Sequence, residues 1–361
     1  EELEFDLNDP AQAKKVTLGT FHSFCIRLLR KHIAKLGYLP SFTIADESDQ
    51  QGIFKQACGA LGFSSNNFPI GGAFSRISNW KNHLLTPEAA SSNAGNDFEA
   101  TVAHVYEKYR DLMETQNLID FDDMLLLVWR LFTEQPEVLE KYRERFQYLL
   151  VDEYQDTNHV QYLLTSLLAG GHENICVVGD DDQSIYKFRG ATIENILSFE
   201  KNFRNAQTIR LEQNYRSTQN ILDGANAVIS HNEQRKGKNL WTSNGEGDKI
   251  ILNTLDDEYG EGKYIADEIM KQMGSDRKFS DFAVLYRMNS MSNSVERALV
   301  RSGIPYRIIG GHKFYDRMEI KDALAYLSVI ANHDDSVRLE RIINVPKRGI
   351  GATTIANAKE I

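Results

Sequence analysis

The sequence has 361 residues, 42% apolar and 25% charged, with 41 Lys and Arg against 51 Asp and Glu and a formal net charge of −10. At roughly 100 to 200 residues per domain this length predicts two or three domains with ample core, and the composition excludes extensive disorder, collagen-like repeats and coiled coil. The acidic balance excludes a protein that coats nucleic acid by bulk charge, while a local basic track is compatible with it, and no apolar run reaches the roughly 18 residues a membrane span needs.

In chain order, residues 16–36 pass from a short apolar stretch into a helix with Phe21, Phe24, Cys25, Leu28 and Leu29 on one face. Arg27, Arg30, Lys31 and Lys35 make it basic. From Asp46 to about Phe146 the reading is almost wholly helical: Phe98, Val102, Val105, Tyr106, Tyr109, Leu112 and Met113 fall at helical spacing. Asp120 is placed to cap the next helix, and Pro136 sits where a first helical turn tolerates it.

The character changes at Tyr148. YLLVDE is a continuous apolar run ending in two carboxylates, a helical stretch follows from about His159, and ICVVGDDD is a second such run. Strands alternating with helices predict a parallel sheet covered on both faces, the α/β pattern. TIRL at 208–211 predicts a third strand, followed by a helix to about His231 and a linker at 232–248. A second α/β set follows: KIILNTL, a helix through Ile269, FAVLYR at 282–287, a helix from Ser292 and PYRII. Cys25, Cys58 and Cys176 have no metal-ligand spacing and read as buried small hydrophobes in a reducing compartment. The first residue is Glu1 and nothing near it resembles a signal peptide, so a cytoplasmic segment of a longer protein is expected.

Chemistry concentrates in particular strings. In VDEYQDTN at 151–158 a parallel strand delivers its C-terminal residues to the sheet edge, where ligands bind in such folds. Asp152 there suits a Mg²⁺ held through water, and Glu153 suits a base that orients and deprotonates a water; the bland reading is a solvated strand end. VVGDDDQSIYKFRGA at 177–191 leaves its strand in the same way. Gln183 can contact a phosphate or a water, and Tyr186 and Phe188 offer flat faces for unpaired bases, unless both rings simply pack in the core. A loop this short is suited to couple nucleotide state to strand position. In LEQNYRS at 211–217, Arg216 follows a strand and can stabilise charge on a transferring phosphoryl group, with Tyr215 able to stack on a base. Taken alone, that triplet reads as a structural tyrosine and a surface arginine.

Together these strings, in this order and at this spacing, closely resemble the superfamily one DNA helicases of the UvrD, Rep and PcrA group. TFHS at 20–23, FDD at 121–123, LYRMN at 285–289, IPYRIIGGHKFYDRMEIKDALAYL from Ile304 and INVPKRGIG at 343–351 extend the resemblance over essentially the whole chain. It implies Asp152 as the Mg²⁺ carboxylate, Glu153 as the base of ATP hydrolysis, Gln183 as γ-phosphate sensor and Arg216 as arginine finger. Tyr215 would stack on adenine, and Arg189 would sit near the nucleotide. Thr20 and His22 would contact DNA phosphates, Tyr186 and Phe188 would stack on bases, and Asn289 and Lys313 would touch the strand. Many relatives have tryptophan at Phe188, which implies retained but weaker stacking. His22 alone reads as a helix-start or core histidine, and Lys313 alone as a solvated lysine.

The phosphate-binding GxxxxGK[ST] that such motors need is absent from the sequence, whose Gly-Lys pairs, Gly237-Lys238 and Gly262-Lys263, lack the rest of the pattern. The chain alone is therefore expected not to turn over ATP. The expected fold is α/β, a P-loop NTPase with two incomplete RecA-like domains and helical insertions. Residues 1–20 and 145–210 would form part of the first motor domain, 21–144 a helical insertion, 211–309 part of the second motor domain, and 310–361 the start of a second insertion. The implied activity is 3′ to 5′ translocation on single-stranded DNA and unwinding at duplex junctions, with ATP and Mg²⁺, no membrane, and repair or replication proteins as partners. The alternatives are the helicase subunit of a helicase-nuclease and a degenerate, non-catalytic DNA-binding module.

Overall fold

The computed structural model describes residues 16–64, 66–187, 190–203, 205–233, 235–274, 276–309 and 318–359. It divides into two units, one comprising residues 1–210, 232–238 and 322–361 and the other residues 211–231 and 239–321.

The first unit is mostly helical. Helix α1 (Phe21–His32) starts where the Thr20 hydroxyl accepts the Ser23 amide at 3.2 Å, and its last turn carries Arg30, Lys31 and His32 against the negative end of the helix dipole. α2 (Glu47–Ala60), α3 (Ile70–Asn82), α4 (Pro87–Ser92), α5 (Asp97–Thr115), α6 (Phe121–Glu134) and α7 (Pro136–Arg145) follow. The stripe expected on α5 is the face it buries, with Val102, Val105, Tyr106, Tyr109 and Met113 in the core and Phe98 at its edge. Asp120 caps α6 in a reciprocal box with Asp123, and Pro136 opens α7.

Two cores result. One joins α1, α6, α7 and α8 (His159–Ala169) through residues such as Leu28, Leu29, Val128, Leu131 and Leu164. The other joins α2, α3 and α5 through Phe54, Ile77 and Tyr109. The short strand β1 (Thr43–Ile44) pairs in parallel with β2 (Leu118–Ile119), and β3 (Leu149–Val151) pairs in parallel with β4 (Ile175–Val177) in the register Val151 to Val177. Beyond β4 lie the short helices α9 (Glu194–Leu197) and α10 (Phe199–Asn202).

The second unit contains α11 (Gln219–Ile229), α12 (Glu258–Gln272) and α13 (Ser292–Arg301), the last two packed around Ala266, Ile269, Leu299 and Ile304. Gly262 permits that packing, because a Cβ there would lie 2.7 Å from the Ser294 carbonyl oxygen. α14 (Met318–Ala331), α15 (Ser336–Ile342) and α16 (Ala352–Lys359) complete the chain order. In the first unit, Arg338 joins α15 to α2 through Asp49 at 2.8 Å.

The α/β expectation holds in its coarse form, helices with short parallel strands, and is corrected in its detail. The runs at 208–211, 249–255, 282–287 and 305–309 form no strand among the described residues. An apolar run becomes a strand only when a neighbour takes its backbone N–H and C=O groups. Near the first run, Gln213 makes an isolated bridge to Trp241, and Leu252 and Leu285 remain 90% and 95% exposed. Nor is the β3–β4 pair covered on both faces, since Leu150 and Val178 are exposed. Cys176, on the same pair, is exposed as well, whereas Cys25 and Cys58 are buried as expected. No described helix is long and apolar enough to cross a membrane.

Candidate functional site

The ends of β3 and β4 bring the carboxylate strings together. Val178 donates to the Val151 carbonyl at 2.8 Å and Tyr154 donates to the Val178 carbonyl at 2.9 Å, so the two strands stay paired just past their last residues. Asp152 and Glu153 emerge there with exposed side chains. Glu153 has φ 51°, a left-handed conformation that turns the chain abruptly out of the strand. Its amide donates to Asp152 Oδ1 at 2.9 Å. Gln155, 1% exposed, donates from Nε2 to Glu153 Oε2 at 2.7 Å and accepts the Asp180 amide on Oε1 at 2.9 Å.

Gly179 makes that approach possible. A Cβ there would lie 2.6 Å from Gln155 Oε1, 2.8 Å from Ile196 Cδ1 and 3.1 Å from the Tyr154 nitrogen, distances that only a glycine tolerates. Asp180 then organises its own loop, accepting the Asp182 amide at 3.0 Å and the Gln183 side chain at 2.7 Å. Lys238 binds Asp180, Arg235 forks onto Asp182 at 2.8 and 2.6 Å, and the Lys236 amide donates to Asp181 at 2.7 Å. The acidic run is thus neutralised by the basic 235–238 segment. Burial alone would raise the Asp180 pKa, but the hydrogen bonds from Lys238 and Gln183 outweigh it and hold the carboxyl below its usual range.

The far end of the same loop is stitched back to 157–158. Asn158 and Ala191 form a bridge, Thr192 donates to the Thr157 carbonyl at 3.0 Å, and Asn195 donates to Thr157 and Asn158 at 3.0 to 3.3 Å. Asn158 in turn donates to Asn82 at 2.6 Å, and Asn82 to Asp122 at 3.1 Å, so a buried polar chain runs from the carboxylate string into α3 and α6. Tyr186, 37% exposed, lies between the two anchorages. Phe188 and Arg189, and Lys313 further on, lie outside the described residues.

The remaining candidates lie on other elements. The Thr20 hydroxyl is engaged in capping α1. His22 meets Phe121 edge-on with ring centroids 5.8 Å apart; burial lowers its pKa, against a hydrogen bond with the Phe121 backbone, which favours the neutral ring at pH 7. In the second unit, Asn214 Oδ1 accepts the amides of Arg216 and Ser217 at 2.9 and 2.8 Å, a turn that leaves Tyr215 and Arg216 exposed. Asn289, also exposed, begins a short helical turn.

Sequence reasoning passed over Gln155, Gly179, Asn158 and Asn195, and also the pairing of the acidic run with 235–238. Gln155, Asn158 and Gly179 stand inside the strings already singled out, and the side-chain amide two residues after Glu153 was the available signal. Among the described residues no group of three or more His, Cys, Asp or Glu is placed to hold a metal. An isolated hard carboxylate such as Asp152 still fits Mg²⁺, which commonly takes one or two protein carboxylates and completes its shell with water and phosphate.

Residues 2–204 match the family model of the UvrD/REP helicase N-terminal domain, and residues 209–361 that of the UvrD-like helicase C-terminal domain. The ATP-dependent DNA helicase PcrA of Staphylococcus epidermidis is 48% identical over 344 residues, 95% of this chain and 47% of that protein. PcrA of Bacillus subtilis is 47% identical over 344 residues, covering 95% and 46%, and PcrA of Leuconostoc citreum 45% over 350 residues, covering 97% and 47%. The chain spans about half the length of the curated relatives it matches.

Proposed function

The chain belongs to the UvrD/REP helicase family, and on that premise we propose that it forms part of an ATP-dependent DNA helicase that moves 3′ to 5′ on single-stranded DNA. The observation that carries this reading is the convergence of Asp152, Glu153 and the Gln183 loop at the ends of adjacent parallel strands, joined through Gln155. In this reading residues 1–20 and 145–210 belong to a first RecA-like domain interrupted by the helical body 21–144. Residues 211–309 belong to a second such domain, and 310–361 open a further helical domain.

Magnesium-bound ATP supplies a scissile phosphoanhydride and a cation that screens the charge developing on phosphoryl transfer. Asp152 offers the carboxylate that holds the cation, and Glu153 orients and deprotonates the water. Gln183 reads the γ-phosphate, Arg216 compensates its charge, Tyr215 stacks on adenine and Arg189 stands near the nucleotide. Thr20, His22, Asn289 and Lys313 contact the DNA strand, with Tyr186 and Phe188 as base-stacking faces. The anchorages of the 179–195 loop support coupling, because any shift of Gln183 is transmitted along a segment fixed at both ends to residues 155–158. The sequence contains no GxxxxGK[ST], so these residues alone are proposed not to hydrolyse ATP.

The test is strand displacement by the full-length protein on duplexes with a 3′ or a 5′ single-stranded tail. Unwinding that needs ATP and the 3′ tail is expected; unwinding without ATP, or from the 5′ tail alone, would contradict the reading. In the same protein Tyr186→Ala should weaken single-strand binding about 5- to 100-fold, the equivalent of losing one base stack. Unchanged anisotropy titrations would assign Tyr186 to packing.

A further inference from the structure

We infer that Gln155 is a positioning residue for hydrolysis: its side-chain amide fixes the Glu153 carboxylate and, through the Asp180 amide, ties that base to the loop carrying Gln183. This rests on the assignment of Glu153 as base. The orientation of the Gln155 amide is settled by chemistry. A backbone N–H can only donate, so the atom facing Asp180 is the oxygen; an ionised carboxylate can only accept, so the atom facing Glu153 is the nitrogen. The side chain is 1% exposed, its backbone oxygen receives the Ser184 hydroxyl at 3.4 Å, and Gly179 admits the close contact on Oε1.

The consequence is a geometric constraint on an exposed base. Glu153 sits on a left-handed residue beyond the end of β3, and among the described residues Gln155 is the hydrogen-bond partner that holds its carboxylate. Without it the carboxylate can swing through its rotamers, and a misplacement of about 1 Å at a reacting group costs about 10²-fold in rate. The same amide sets the spacing between the base and the γ-phosphate sensor, because Asp180 receives the Gln183 side chain at 2.7 Å. Only a group with one donor and one acceptor at this reach serves both strands. Methionine retains the volume and offers neither, and an ionised glutamate offers the acceptor alone.

The test compares Gln155→Met, Gln155→Glu and Glu153→Gln in the full-length protein. For Gln155→Met we expect a kcat for DNA-stimulated ATP hydrolysis about 10²-fold lower, with KM for ATP, nucleotide affinity and melting temperature close to wild type. Gln155→Glu keeps the length of the side chain and an acceptor for the Asp180 amide but gives up the N–H that reaches Glu153, so it should show the same loss of kcat with KM for ATP unchanged. A merely structural role would instead lower the melting temperature and leave the kcat of the folded protein near wild type. Should Gln155→Met fail to fold, Gln155→Glu decides alone. A wild-type kcat in either folded variant overturns the proposal. Glu153→Gln separates the two assignments: retained turnover there removes the base, whereas its collapse beside a wild-type-like Gln155→Met removes only the positioning role.

Discussion

Glu153→Gln in the full-length protein is expected to bind ATP normally and to lose hydrolysis by about 10³-fold, the scale of a lost general base. The substitution keeps the size of the side chain and removes its ability to take a proton. It also leaves an oxygen to accept from Gln155 Nε2, so the 2.7 Å contact and the Asp180 tie beyond it survive. The left-handed backbone at φ 51° is no obstacle, since glutamine adopts it as readily as glutamate. The loss should therefore fall on kcat with KM for ATP little changed, and a trapped, nucleotide-bound protein should still hold single-stranded DNA. Stopped-flow phosphate release measures the step directly. Turnover within about threefold of wild type would remove Glu153 from the role of base, because general-base contributions of that kind run at 10² or more.

The site was more legible in the sequence than the sheet was. Continuous apolar runs ending in DE and GDDD marked β3 and β4 because both chemistry and strand end are written in consecutive residues. The cap at Asp120 was local in the same sense: it needs only its own side chain and an amide three residues on. The runs at 249–255 and 282–287 have the same apolar character, yet remain unpaired among the described residues. Strand formation depends on a neighbour, and no local pattern states which neighbour is present. The role of Gln155 was harder to read for the opposite reason. Its residue type is common and its role is set entirely by two partners, one of them 25 residues away in sequence. The pairing of Asp180, Asp181 and Asp182 with 235–238 lay equally out of reach, since charge runs of both signs read as solvated until a fold opposes them.

Lys81→Met should destabilise the first unit by about 3–5 kcal/mol, the range for removing one member of a buried ionic cluster. Lys81 is 4% exposed on α3 and lies 2.6 Å from Asp120 and 2.7 Å from Asp123, with Tyr109 donating to the same Asp120 oxygen at 3.1 Å. Methionine fills the volume but leaves both carboxylates without their cation. In the wild-type protein burial, then the charge of Asp120, pushes Asp123 up to about 7 despite Lys81, whereas Lys81 and hydrogen bonds hold Asp120 below its usual range against burial. The sign for Asp123 follows: its folded pKa exceeds the unfolded 3.8, so the folded state binds more protons between those values, and this contribution to stability is lost as pH rises towards 7. Removing Lys81 raises both carboxyls further and extends the loss to higher pH, so the deficit should be small near pH 5 and large near pH 8. Urea unfolding followed by the fluorescence of Trp80, adjacent to Lys81 and stacked on Tyr106 at 6.3 Å, reports it locally. A triple change that also makes Asp120→Asn and Asp123→Asn should recover most of the loss, because a cluster removed whole leaves no orphaned charge. A deficit below about 1 kcal/mol, or one that shrinks as pH rises, would mean that water reaches the two carboxylates and that the cluster is not the buried triad its geometry describes.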